Sequence, residues 1–339
     1  MERKLNFGLI GAGRIGRVHA ENLAYRIPEA KLAAVADVVT PAAEQLAADY
    51  QVPAVFSDYR RILDDREIDA VAICSSTDTH AQLIEEAAAA GKHIFCEKPI
   101  ALDLDKIDHA LAAAEQAGVK LQVGFNRRFD PNFSRVRDIV AGGEIGSPHI
   151  LRITSRDPQP PPIAYVRVSG GLFLDMTIHD FDMARFLMQS EVEEVFVAAA
   201  VLVDPEIGKA GDVDTAIITL RFANGALGTI DNSRQAAYGY DQRVEVFGSK
   251  GAVTVSNNTS DSALISNSDG VHGALPLFFF VERYTESYIA EMKAFVECVL
   301  LDKAPSVTGI DGRIPVVMGY AAKRSYEENR PVKLSEIET

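Results

Sequence analysis

Leu5-Asn6-Phe7-Gly8-Leu9-Ile10-Gly11-Ala12-Gly13-Arg14-Ile15-Gly16 is the stretch that decides the fold. An apolar run of strand length ends in three glycines spaced G-x-G-x-x-G, and a helical pattern opens near Arg14. In that setting each glycine has a task. Gly11 makes the tight turn, Gly13 lets a pyrophosphate reach the backbone, and Gly16 lets the helix pack closely. The helix N-terminus, with Arg14 and Ile15 in its first turn, then turns unpaired N–H groups toward the phosphates. Three glycines alone are a weak sign, and a glycine turn in a sheet protein that binds nothing is the alternative. A second apolar run, Leu32 to Ala36, ends at Asp37, roughly 20 residues past Gly16, where an acid is expected for the ribose hydroxyls. Val38 and Val39 follow it, and no arginine does. A 2′-phosphate would meet a carboxylate without a base to receive it, so the expected cofactor is NAD and not NADP.

The same alternation continues past Asp37. Ala70 to Cys74, His93 to Cys96 and Leu121 to Phe125 are apolar runs, and His80 to Ala90 and Asp103 to Ala117 carry apolar residues at helical spacing. This repetition predicts an α/β protein whose residues 1–125 form a Rossmann-type, doubly wound parallel sheet. From residue 126 the pattern changes. A helix is expected over Asn132 to Ala141 and another from about Gly171 to Met188. Thr215 to Phe222 and Ala226 to Asp231 flank Asn224-Gly225 and read as a hairpin, and Arg243 to Phe247 with Ala252 to Ser256 as a second one. Helices are expected again over about Thr285 to Leu301 and Ile314 to Glu328. Residues 126–339 should thus form an α+β domain, a mostly antiparallel open sheet with helices on one face. Four prolines between Asp157 and Pro162 predict a rigid extended loop.

Composition removes several classes of function. The 339 residues carry 48 acids against 34 Lys and Arg, a net charge of −14, which offers no basic field to nucleic acid or an anionic membrane. No apolar run approaches the roughly 18 residues of a bilayer span, and the first strand begins too early for a cleaved leader. Cys74, Cys96 and Cys298 lie too far apart for a disulfide framework or a zinc knuckle. A soluble protein of the reducing cytoplasm is expected.

Two further stretches carry chemistry. Cys96-Glu97-Lys98-Pro99 ends the fourth long apolar run, at the carboxyl edge where open α/β sheets bind ligands. A lysine there, partly desolvated beside a cationic nicotinamide, could exchange protons near neutral pH, or it could be a solvated surface lysine. In the segment after Gly170-Gly171, Asp175, His179 and Asp182 recur at i, i+4 and i+7 and fall on one stripe of a helix. Such a stripe suits an imidazole general base oriented by carboxylates. It would also suit a solvated polar face or a divalent-metal site, although no second histidine or cysteine shares the segment.

Together, Gly11 to Gly16, Asp37, Glu97-Lys98-Pro99 and Asp175 to His179 resemble the glucose-fructose oxidoreductase and inositol dehydrogenase family, over nearly the whole chain. Within it, Gly170 to Asp180 and Tyr238 to Arg243 look most like the inositol dehydrogenases that act on myo-inositol. The resemblance implies a catalytic set of Lys98, Asp175 and His179, with Glu97 and Lys98 at the cofactor and Arg127, Asp182, Tyr238 and Tyr240 near the substrate. It also implies hydride transfer from a cyclic polyol to NAD and a homotetramer assembled through the open sheets, and since such transfer needs only positioning and proton removal, no metal is expected. Dehydrogenation of another inositol isomer or of a pyranose, and a redox-inactive NAD-binding sugar sensor, are the alternatives. A sensor has no need of proton-transfer residues.

Overall fold

Strands that are apolar without alternation need cover on both faces, and the first sheet has it. In the computed structural model, which describes residues 4–337, the chain begins β1 (Leu5–Ile10), α1 (Arg14–Glu21), β2 (Ala30–Ala36), α2 (Thr40–Tyr50), β3 (Ala54–Phe56) and α3 (Arg60–Leu63). It continues β4 (Ala70–Ile73), α4 (Thr77–Ala89), β5 (His93–Glu97), α5 (Leu104–Gln116), β6 (Leu121–Gly124), α6 (Pro131–Ala141), β7 (Pro148–Arg156) and α7 (Ile163–Val166). Next come α8 (Gly171–Asp175), α9 (Thr177–Met188), β8 (Val192–Ala200), α10 (Pro205–Lys209), β9 (Thr215–Phe222) and β10 (Leu227–Ser233). The rest is β11 (Asp241–Gly248), β12 (Gly251–Val255), the ribbon β13 (Leu264–Asn267) and β14 (Gly270–Gly273), α11 (Phe280–Arg283), α12 (Thr285–Leu300), α13 (Gly309–Glu328) and β15 (Val332–Lys333). No helix among the described residues is long and apolar enough to cross a membrane.

Packing divides the chain into two units, residues 1–129 with 286–316, and residues 130–285 with 317–339. This departs from a division at 125/126, because most of α12 returns to the first unit. The reason is hydrophobic. Met292, Phe295 and Val296 join the core of the first sheet, where the Phe295 ring stands 6.0 Å from Phe7 and 5.9 Å from Phe95. The first sheet is wholly parallel in the order β3-β2-β1-β4-β5-β6. Its order reverses between β1 and β4, and the loops after these two strands border the crevice where open α/β sheets bind ligands.

The second unit holds a seven-stranded sheet, β12-β11-β7-β10-β9-β8-β15. All its pairs are antiparallel except β7 with β10. Along β9 the buried Ala216, Ile218, Leu220 and Phe222 alternate with more exposed residues, so only one face is covered, and α9 packs over β7 and β10. Gly225, at φ +84°, turns the chain between β9 and β10.

Two helices differ from their expected bounds. The stretch 171–188 forms two helices with a break at Met176, where the Leu172 carbonyl receives both the Met176 N–H at 3.0 Å and the Thr177 hydroxyl at 3.2 Å. Helix α13 starts at Gly309 and not at Ile314, with Pro315 inside it, because Thr308 and Asp311 cap it reciprocally. The α12 contact has a measurable weight. Phe295→Ala is expected to cost about 3–5 kcal/mol by the usual range for a buried phenylalanine, read as a lower denaturation midpoint.

Candidate active site

The glycine turn after β1 is built as a phosphate cradle. Gly11 has φ +105°, and a Cβ on it would stand 2.5 Å from the backbone of Cys74, so no side chain fits between β1 and β4. A Cβ on Gly16 would lie 2.0 Å from the Gly11 carbonyl oxygen. Gly13, the N-cap of α1, faces open space and supplies no side-chain cap, and the first turn of α1 carries no acid. No side chain caps the start of α1, an arrangement that suits an anion from outside the chain. At the end of β2, the Ala12 N–H donates to Asp37 Oδ2 at 2.7 Å and the Val39 N–H to Oδ1 at 2.8 Å. These bonds fix the carboxylate and leave each oxygen a lone pair for a ribose hydroxyl. Val38 and Val39 beside it are exposed. A glycine cradle, an uncapped helix start and a fixed acid fit a dinucleotide.

On the same edge of the sheet, β5 ends at Glu97, a buried carboxylate whose Oε1 accepts from His19 Nε2 at 2.7 Å. Lys98 follows and is half-buried. Pro99, joined to it through a cis peptide, has its carbonyl bonded by His80 Nδ1 at 2.8 Å. Arg127 is buried in the short 3-10 turn after β6, and Arg128 donates to Asp311 at 2.8 Å. The three cysteines are free and buried, and burial pushes the Cys74 and Cys96 thiols well up.

The second unit supplies the other expected residues. Asp175, at the end of α8, accepts from the Tyr165 hydroxyl at 2.9 Å and pairs with the Arg234 guanidinium at 3.0 Å. Arg234 is buried and also reaches Asp157 at 3.5 Å. Asp212 receives the Leu172 N–H at about 3 Å from both oxygens, and burial pushes its carboxyl up. His179, on α9, is half-buried, while Asp182 is fully buried and therefore belongs to no solvated face. The two tyrosines diverge. The Tyr238 hydroxyl donates to Asp241 at 2.5 Å and accepts from Arg156 at 3.0 Å, within a charged network around β11. Tyr240 is buried, its ring edge-on to Tyr284 at 6.0 Å.

Of the expected residues, Gly11 to Gly16, Asp37, Glu97, Lys98 and Arg127 lie in the first unit, and Asp175, His179, Asp182, Tyr238 and Tyr240 in the second. Sequence reasoning missed His19, Tyr165 and Arg234. A signal existed for His19, because it lies three residues past Gly16 on the face that the glycine turns toward the sheet. Tyr165 and Arg234 carry no local signal.

A Rossmann cradle with an acid just past its second strand and a lysine just past its fifth defines a dinucleotide-dependent oxidoreductase. Comparison with known proteins makes this specific. Residues 5–125 match the oxidoreductase family with an NAD-binding Rossmann fold, and residues 133–254 match the GFO/IDH/MocA C-terminal domain. The chain belongs to the GFO/IDH/MocA family, and its cofactor is NAD. It is 52% identical to the myo-inositol 2-dehydrogenase of Thermotoga maritima over 98% of this chain and 99% of that one. It is 47% identical to the inositol 2-dehydrogenase of Rhizobium meliloti, again over 98% and 99%. The crystal structure of Lactobacillus casei scyllo-inositol dehydrogenase with bound NAD(H) and scyllo-inositol matches with a TM-score of 0.92 at 31% identity, covering 98% of this chain and all of that one.

Asp37 sets the expected cofactor preference. The wild type should use NAD far better than NADP. Asp37→Ala should narrow the gap, removing the repulsion of a 2′-phosphate together with a ribose hydrogen bond on the order of 1 kcal/mol. Equal kcat/KM for both cofactors in the unmutated protein would contradict this.

Proposed function

We propose that the protein oxidises myo-inositol at its single axial hydroxyl to 2-keto-myo-inositol (scyllo-inosose). The observation that carries this reading is that Lys98, Asp175 and His179 all occur in this chain, with Asp175 held by Arg234 and Tyr165. The names of the two curated relatives support the substrate class.

In this scheme Gly11 to Gly16 and Asp37 hold the dinucleotide, and NAD, when bound, supplies the hydride acceptor. His179 takes the proton of the reacting hydroxyl as the C–H hydride leaves, so the carbinol becomes a ketone. Lys98 donates a hydrogen bond to the same oxygen and polarises it while the carbonyl develops. Asp175 orients His179 and stabilises the imidazolium that proton transfer creates, and the Arg234 guanidinium at 3.0 Å holds Asp175 in place. Arg127, Asp182, Tyr238 and Tyr240 are assigned to the polyol pocket on the family resemblance. A neutral polyol, whose hydroxyls both donate and accept, suits such a mixed polar set better than an acid would, because an acid needs converging cations. We further propose a cytoplasmic homotetramer assembled through the second sheet. Support for it lies in the half-exposed Ile217, Leu227 and Phe247 on that sheet and in the free cysteines.

An inositol panel with NADH formation as the readout tests the substrate. In myo-inositol the axial hydroxyl makes the departing hydrogen equatorial, so one ring orientation serves both hydride and proton transfer. The kcat/KM for myo-inositol should exceed that for scyllo-inositol at least about tenfold, roughly 1.4 kcal/mol of discrimination. The scyllo-inositol bound by the Lactobacillus casei relative makes that isomer the second reading, and its preference in the assay would replace the first. The catalytic roles are tested separately. Lys98→Met and His179→Ala should each lower kcat by about 10²–10⁴-fold while NAD affinity, read by fluorescence titration, stays near wild type. A His179→Ala protein with near-normal turnover would remove His179 from the mechanism.

A further inference from the structure

Behind the glycine turn lies a buried group of ionisable side chains that the scheme above does not use. His19 sits on α1, Glu97 ends β5 beside Lys98, and Glu291 projects from α12, all within the first unit. His19 and Glu291 have fully buried side chains, and that of Glu97 is 10% exposed. His19 Nε2 donates to Glu97 Oε1 at 2.7 Å, and its ring is set edge-on between Phe95 and Tyr288. Glu97 is wedged on its other side, since a Cβ on Gly124 would stand 3.1 Å from its carboxyl carbon. Glu291 differs from both. Neither of its oxygens has a hydrogen-bond partner among the described residues, and its nearest ion-pair contact there is His19 Nε2 at 4.0 Å.

An isolated carboxylate does not persist in such surroundings. It takes up a proton or finds a cation. A divalent ion does not fit the spacing. Two ligands each about 2.1 Å from a tetrahedral ion stand about 3.4 Å apart, whereas His19 Nε2 and Glu97 Oε1 are at hydrogen-bonding distance. We propose that Glu291 carries its proton in the native protein and so leaves His19 to Glu97 alone, which makes Glu291 and His19 positioning residues for Lys98. Were Glu291 ionised, it would compete for the His19 N–H and repel Glu97, and the corner that carries Lys98 would shift. Burial first, and the charge of Glu97 second, push the Glu291 carboxyl well above the ordinary carboxylate range. The other titratable groups around it are His19 on α1 and the Cys74 thiol after β4, with Cys96 beside Glu97 and Tyr288 against His19. The positioning role rests on the proposed assignment of Lys98. The protonation of Glu291 does not.

The test compares the wild type with Glu291→Gln, which mimics the neutral acid. In the apoprotein at neutral pH, difference infrared spectra should show the carbonyl stretch of a protonated carboxylic acid that Glu291→Gln lacks. A carboxyl raised in the folded state stabilises fully below its unfolded value, and that stability is lost as pH rises through the folded value. The wild-type Tm should therefore fall relative to Glu291→Gln as pH rises above the ordinary carboxylate range. An unchanged infrared band, a Tm difference independent of pH, or a Tm raised by added Zn²⁺ or Mn²⁺ only in the wild type overturns the assignment of the proton. In the NAD-loaded enzyme, ionisation of Glu291 should lower kcat on the alkaline side, and Glu291→Gln should abolish that loss without changing KM. Identical alkaline limbs in the two proteins overturn the positioning role, and the apoprotein result stands or falls independently of the substrate.

Discussion

The structure depends on a clearance at one residue. With no Cβ on Gly16, α1 packs against the turn it springs from, where a methyl group would stand 2.0 Å from the Gly11 carbonyl oxygen. Two consequences follow. The start of α1 is held at the mouth of the first sheet, with N–H groups that no side chain caps. For an anion there, hydrogen bonds involving a charged group, each worth about 1.5–3 kcal/mol net, outweigh the helix dipole, at about 0.3–1 kcal/mol when exposed. One turn further on, the same close packing drives His19 into the interior, where it meets Glu97. The glycine turn and the corner carrying Lys98 are thus joined through two side chains.

In the second unit the comparable constraint is electrostatic. Arg234 is buried and feels three carboxylates, Asp175, Asp157 and Asp212. A buried ion pair is poor evidence of stabilisation, because apolar residues of equal volume often do as well, whereas removal of one partner costs about 3–5 kcal/mol. What the arrangement does secure is the position of Asp175. The guanidinium stands 3.0 Å from its carboxylate and the Tyr165 hydroxyl donates to it at 2.9 Å. In the proposed scheme a general base on α9 gains from an acid held in one place.

Much of this was legible in the sequence, and what was not has definable causes. The glycine spacing, Asp37 and the apolar runs through Phe125 act locally, since each reports its own strand, turn or helix, and all stand where they were expected. The hairpin at Asn224-Gly225 was legible for the same reason. The pairing of β7 with β10 was not, because Ile150 and Leu227 meet across a long stretch of chain and no turn announces a parallel pair. The helix over about Thr285 to Leu301 was expected, but nothing in its own residues says which core it enters, and so a boundary at 125/126 leaves out its return. The three-residue β3 is too short for any period to register. At the proposed site, His179 and Lys98 are candidates that their local sequence suggests, while Arg234 and Tyr165 are partners that only the fold brings to Asp175.

The proposed chemistry draws on charges from separate elements. Lys98 and Arg127 belong to the first unit, and Asp175, His179 and Asp182 to the second. Oxidation of a neutral alcohol by hydride loss removes an electron pair from carbon before or as the oxygen gives up its proton, so the carbinol grows electron-poor and its hydroxyl more acidic. Anions near the base favour proton acceptance, and a cation at the oxygen favours charge left there. The two demands oppose each other if one element must meet both, since a lysine beside the base would depress its proton affinity. In the proposed scheme the cation follows β5 and the base lies on α9, so each demand falls to a separate element.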